Sequence, residues 1–153
     1  MSTTAGKATR GRGRQRLLTV GGAISAALLI WALAELLFDV DLRAPAMRGS
    51  AEPTNISGWA VLLTSGIAGF AALGALALLE RFTARARMIW VIGAVIVLLI
   101  SLPAPFNGSG ISTANRLWLL AMHLAVGAVL IVGLYRTASP RRAEAEGEAE
   151  GEG

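Results

Sequence analysis

The 153 residues are 54 % hydrophobic and 16 % charged, carry a formal net charge of +4 and contain no cysteine. That balance, with a mean hydropathy of +0.60, excludes an ordinary water-soluble domain. The missing cysteine excludes disulfide exchange, thiolate nucleophiles, Cys-based zinc and Cys-ligated iron–sulfur clusters, and with them the small four-helix thiol oxidoreductases of membranes.

Residues 1–16 are rich in Gly, Thr and Arg, show no apolar periodicity, and are predicted to be a disordered basic segment holding Lys7, Arg10, Arg12, Arg14 and Arg16. Residues 17–38 form the first apolar stretch, broken only by Glu35. About 20 such residues cross a hydrocarbon core as a helix. The stretch is longer than the roughly 7–15 residues of a signal-peptide core, and Pro45 sits inside the loosely matching Ala44-Pro45-Ala46 cleavage pattern. A retained first span is therefore expected. The loop from Asp39 to Asn55 carries Pro45 and Pro53 and would form a lid over the adjoining helix ends. Asn55-Ile56-Ser57 matches a glycosylation sequon, which matters only in a eukaryotic secretory pathway.

Three further spans follow at about 56–79, 88–106 and 117–135, none with an Asp, Glu, Lys or Arg. The short 80–87 segment joins spans two and three as an antiparallel hairpin. Pro103 and Pro105 end span three, because each ring removes a backbone donor and restricts the residue before it; the run from Ser101 to Pro105 is predicted to be extended. Asn107-Gly108-Ser109-Gly110 is a turn. Past Tyr135 the chain becomes basic and then an acidic Glu/Ala/Gly repeat, a solvated tail for which partner binding is the alternative reading. Among the spans, Gly22 with Ala26, Ser65 with Gly69, Gly66 with Gly74, and Ala121, Ala125 and Gly127 set out small residues for close helix approach within the chain. Span three is mainly Val, Ile and Leu and should show the most surface to lipid. Trp59, Trp90 and Trp118 lie near span ends, where indoles anchor at headgroups; Trp31 lies deeper and packs between helices.

The charges give the spans a direction. Eleven Lys and Arg (those of residues 1–16, Arg81, Arg85, Arg87, Arg136, Arg141 and Arg142) fall on one side, and three (Arg43, Arg48 and Arg116) on the other. Short cytoplasmic loops are enriched in Lys and Arg. Both termini and the 80–87 segment are thus expected in the cytoplasm. Each basic residue beside the bilayer attracts anionic headgroups by roughly 1 kcal/mol. Lipid therefore accounts for the pI near 11.0, and no nucleic-acid partner is expected.

Polar groups within spans each need an account. Glu35, Thr64, Ser65, Ser101 and His123 all fall in the outward half of their spans. They form the candidate polar site, a water-filled pocket open to the outside. Glu35 and His123 could make a hydrogen-bonded, proton-titratable pair at its mouth. Alternatively Glu35 reaches the interface near Asp39 and His123 makes a single interhelical hydrogen bond. No catalytic, cofactor-binding or metal-binding residue is assigned. The chain has one His, Met122 beside it points elsewhere on the helix, and no HExxH, GxSxG, phosphate loop or carboxylate pair is present.

Two resemblances bear on this. The pieces Leu99-Ile100-Ser101-Leu102-Pro103-Ala104-Pro105, Leu120-Ala121-Met122-His123-Leu124-Ala125-Val126 and Val132-Gly133-Leu134 resemble a family of small four-span membrane proteins of unknown function from high-GC, actinobacterial-type bacteria. The resemblance covers most of the span region, excludes both tails, implies a bacterial inner-membrane protein and carries no activity. Four spans with a first-span Glu also resemble small multidrug exporters. Their essential carboxylate is mid-span, however, and Glu35 lies near an end.

The sequence thus gives an all-α, antiparallel four-helix transmembrane bundle over residues 17–135 with tails 1–16 and 136–153. The expected function is that of a non-enzymatic accessory or structural membrane protein. The alternative is a small transporter or proton-linked permeation subunit using Glu35 and His123. A homo-oligomer or a membrane-protein partner is left open.

Overall fold

A computed structural model describes residues 3–46, 52–107 and 109–138, with side chains from residue 11 onward. Four long helices follow from the four apolar stretches: α1 (Thr3–Ala32), α2 (Gly58–Phe82), α3 (Ala86–Ser101) and α4 (Thr113–Thr137). All four are long and apolar enough to cross a membrane, and they pack as an antiparallel bundle. Helix α1 lies against both α2 and α4, and α3 closes the ring opposite it.

The helix ends are set by ordinary capping chemistry. Ser57 accepts from Ala60 N and starts α2, and Ser112 accepts from Asn115 N and starts α4. α4 therefore begins four residues before the expected boundary at Leu117. The segment before residue 17, expected to be disordered, is already helical from Thr3, so the basic residues Arg12, Arg14 and Arg16 continue helix α1. Arg16 is fixed there by partners on two other helices (below). The acidic tail, and any disorder in it, lies outside the described residues.

Pro103 and Pro105 do end α3 at Ser101, but the exit is not extended. Leu102 and Pro103 keep helical dihedrals and Ala104–Phe106 form a 3₁₀ turn. A proline's fixed φ suits the first turn of a helix, where its missing N–H has no partner to lose. Pro103 O accepts from both Phe106 N and Asn107 N, and that turn delivers the chain towards α4.

The other end of the bundle carries a cap. α1 ends in a π turn at Leu33–Leu37. Asp39 then takes a left-handed backbone, φ 51°. Strands β1 (Arg43–Ala44) and β2 (Thr54–Asn55) pair antiparallel, and Ala46 bridges to Ser109. Leu42 is fully buried with Ala34 and Leu119, under Trp31, Ile56 and Trp118. Trp31 Nε1 donates to Ile56 O at 2.8 Å, and Gly58 leaves room for its ring, which a Cβ there would approach to 3.0 Å. The loop after span one is a lid in its described part.

Asn115, 2 % exposed, holds this cap from below. Its Oδ1 accepts from Arg43 N at 2.9 Å and its Nδ2 donates to Arg43 O at 2.7 Å. The amide thus stands in for a strand neighbour. Asn115→Ala should cost about 1–2 kcal/mol, since both main-chain partners lose their bond. Faster amide exchange at Leu42–Ala44, with the span helices unchanged, is the expected observation.

Small residues make the close approaches, as expected within the chain. A Cβ on Gly69 would lie 2.8 Å from Val20 Cγ1, and one on Gly127 2.7 Å from Leu98 Cδ1. Gly74, by contrast, has nothing within 4 Å. α3 is the least buried of the four spans. Trp90 departs from the expected headgroup anchor. It is 6 % exposed and packs with Leu76, Leu134 and Ala138, because α3 begins at Ala86 and places position 90 a full turn inside the bundle.

Candidate functional site

Four of the five candidate polar residues line one cavity. It has a volume of about 730 Å³ and is walled by α2, α3 and α4, with Ala27 of α1 at its back. Cavities of roughly 300–1,000 Å³ are of the size that holds a small ligand. Thr64 and Ser65 of α2, Ser101 of α3 and His123 of α4 form its polar portion. The rest is apolar. Ala68, Ala71, Ala72 and Ala75 of α2 face Gly93, Ala94 and Val97 of α3, with Val126, Gly127 and Leu130 of α4 behind. The small side chains of α2 and Gly93 create the space.

Glu35 is not among them. Its Oε1 accepts from Leu42 N at 3.3 Å, across the π turn. The five-residue hydrogen-bond spacing there (Phe38 N to Leu33 O) turns the carboxylate towards the cap. Glu35 thus holds the cap on α1. The Glu35–His123 pair anticipated from the sequence is not formed, and His123 makes no interhelical bond among the described residues. His123 Nδ1 lies 2.8 Å from Leu119 O, one turn back on its own helix. Because α4 starts at Thr113, His123 sits ten residues in, roughly 15 Å from the helix start. Counting from Leu117 gives about 10 Å; the difference is the extra turn at the start of α4.

The cavity also opens differently from the water-filled mouth that span polarity suggested. The cap covers the bundle end. Ala68, Ala71, Ala75, Gly93 and Val97 line the cavity and are themselves exposed. The opening therefore runs along the flank between α2 and α3, where hydrocarbon would lie. Its lining includes no Asp, Glu, Lys or Arg.

The hydroxyl groups are committed to backbone. Thr64 Oγ1 donates to Ala60 O at 2.7 Å, Ser65 Oγ to Val61 O at 2.6 Å, and Ser101 Oγ to Leu98 O at 2.7 Å. Such back-bonding satisfies a hydroxyl in a helix without a second helix. A carbonyl can only accept, so His123 Nδ1 carries the ring proton when the imidazole is neutral, and Nε2 is then an acceptor. Nε2 has no partner among the described residues and is not one of the buried unpartnered atoms. It is therefore accessible, on a residue that lines the cavity.

A second polar cluster, at the opposite end of the bundle, was not singled out from the sequence. Arg16 Nη2 lies 2.6 Å from Glu80 Oε1, and the pair is only 15 % and 18 % exposed. Arg16 also donates to Thr137 Oγ1 at 3.3 Å and Thr137 O at 3.1 Å. Arg87 donates to Ala138 O at 3.3 Å and stacks its guanidinium 4.5 Å over Tyr135. Two guanidinium groups thus close the C-terminal carbonyls of α4, where cations are favoured. The available hint was Glu80, an acidic residue at the end of span two followed directly by Arg81. Among the described residues, no three His, Cys, Asp or Glu come together as a metal site would require.

The chain belongs to the family of unknown function DUF6069, which it matches over residues 7–140. No curated protein and no solved structure matches it.

Proposed function

We propose that this DUF6069 protein is a non-enzymatic accessory protein of a bacterial inner membrane that accommodates an apolar molecule drawn from the bilayer. The observation that carries this reading is the apolar cavity opening between α2 and α3. A bundle built only as scaffolding would gain by closing it, since lost contacts in a void are destabilising. The separation of Glu35 from His123 counts against proton-linked permeation: a proton or ion path needs polar groups in sequence, and the lining from Ala68 to Ala75 is alanine and other apolar side chains.

Both termini face the cytoplasm in this reading, on the charge asymmetry. Arg16 and Arg87 lie at that same end of the bundle. The basic first segment lies against anionic headgroups there. A tag at either terminus that an external protease can remove would overturn the orientation.

The cavity reading is tested with a lipid carrying a photoreactive group on its acyl chain, reconstituted with the protein. Labelling should concentrate on Ala71 of α2 and on Gly93 and Val97 of α3, over the outward-facing Ile92 and Ile96 of α3. Ala71→Phe should reduce labelling at the cavity positions severalfold while leaving thermal stability unchanged, because Ala71 is exposed at the opening. Even labelling around α3 would sink the reading.

A further inference from the structure

The polar end of the cavity is chemically one-sided. Every hydroxyl proton there is used: Thr64, Ser65 and Ser101 each donate to a carbonyl of their own helix. The ring proton of His123 is used as well, on Leu119 O. What these groups can still offer is lone pairs on three hydroxyl oxygens and on the open Nε2 of His123. Trp90 also touches the cavity and carries an N–H, but its Nε1 is buried without a partner, so it does not face a space that admits water. Apart from that enclosed indole N–H, the site presents acceptors and no free donor.

An acceptor-only site in an apolar cavity selects its occupant. A ketone, quinone, ester or ether brings only acceptors and would leave both sides unpaired, which is costly in hydrocarbon. A carboxylate or phosphate would need a cation, and no Lys or Arg lines the cavity. An ammonium group would need an anion, and Glu35, the span carboxylate nearest in sequence to this end, is turned to Leu42 N. A neutral O–H group satisfies all of these conditions at once.

We propose that the cavity binds a neutral long-chain or polycyclic alcohol, with its hydroxyl donating to Nε2 of His123 and its hydrocarbon body along the alanine wall of α2. This rests on the reading of the cavity as a site for an apolar molecule and specifies the chemistry of its head. His123 is here a specificity-determining residue. The pinned Nδ1 fixes which nitrogen is the acceptor, in the way a second hydrogen bond fixes the tautomer of a metal-bound histidine.

The test uses the full-length protein in lipid nanodiscs with the photoreactive lipid as reporter, competed by hexadecanol or by hexadecyl methyl ether. The two competitors share a chain and differ in the donor. Hexadecanol should compete about tenfold better, the worth of one good buried hydrogen bond. His123→Phe should bring the alcohol down to the level of the ether and leave the ether unchanged. A measurement on the unaltered protein covers a variant that misfolds. The chain has a single His, so its nitrogen-15 imidazole resonances need no assignment. The Nε2 resonance should move on adding the alcohol and stay still with the ether. Equal competition by alcohol and ether, or an unmoved Nε2, overturns the proposal while cavity labelling still stands. Absence of labelling in the cavity overturns both.

Discussion

Replacing Glu80 with glutamine should destabilise the solubilised bundle by about 3 kcal/mol, the low end for breaking a buried ion pair by removing one partner. The pair is short, 2.6 Å, and about five-sixths buried on each side. The low end applies because the cluster lies at a helix terminus, where headgroups and water still reach part of it. Arg16 is the hub. It holds α2 through Glu80 and α4 through Thr137 O and Oγ1, so three helices meet at one guanidinium. Glutamine keeps the acceptor and the shape but leaves the cation uncompensated. The size of the loss thus reports charge rather than packing. The double replacement Arg16→Met with Glu80→Met should recover most of it, since apolar residues of similar volume can replace a buried pair at little cost. Thermal unfolding in one detergent, over the complete cycle, is the measurement. A loss below about 0.5 kcal/mol for Glu80→Gln would place the pair with ordinary surface salt bridges.

How much of this was legible in the sequence depends on the length scale of the interaction. The four spans follow from hydrophobic length alone, and the cap was foreshadowed by the proline-containing loop after Asp39. The contribution of Ser57 and Ser112 is local and readable as N-caps. Glu35 was visible as the lone charge of span one, but its orientation was not. A π turn inserts one residue per turn and rotates the carboxylate, and nothing in Leu33–Leu37 announces that. Four candidate polar residues do share a cavity, because depth in an antiparallel bundle can be counted from span ends. Its sideways opening could not be read in the same way. Opening depends on which helices stand apart, and that follows from pairwise fits such as Gly127 under Leu98. Arg16, Glu80 and Thr137 were hidden for the same reason: Arg16 is 64 residues from Glu80 and 121 from Thr137, and charge counting sees an arginine-rich segment without seeing the acid that pairs with it.

The seam between α1 and α4 should be the part of the bundle least tolerant of added volume, and Gly133→Val should cost about 2–3 kcal/mol. Hydrocarbon solvates helices as well as other helices do, so association in a membrane relies on close fit. At Gly133 that fit is complete. A Cβ there would collide with Thr19 Cγ2 and would lie 2.7 Å from Thr19 Oγ1 and 3.0 Å from its Cβ. Thr19 cannot give way easily. It is β-branched, and Oγ1 is tied to Gln15 O at 3.0 Å. Valine in place of glycine gains helix propensity of less than about 1 kcal/mol, too little to offset separating two helices along their length. Gly74 is the control. Nothing lies within 4 Å of its would-be Cβ, so Gly74→Val should change stability by no more than about 0.5 kcal/mol. Removing the obstacle should rescue the seam: Thr19→Ala in the Gly133→Val background clears the two clashing atoms and should restore more than half of the loss. Unfolding in detergent of the three variants, beside the unaltered protein, decides it. Equal effects at Gly133 and Gly74 would mean that glycine flexibility, and not the approach of α1 to α4, sets the cost.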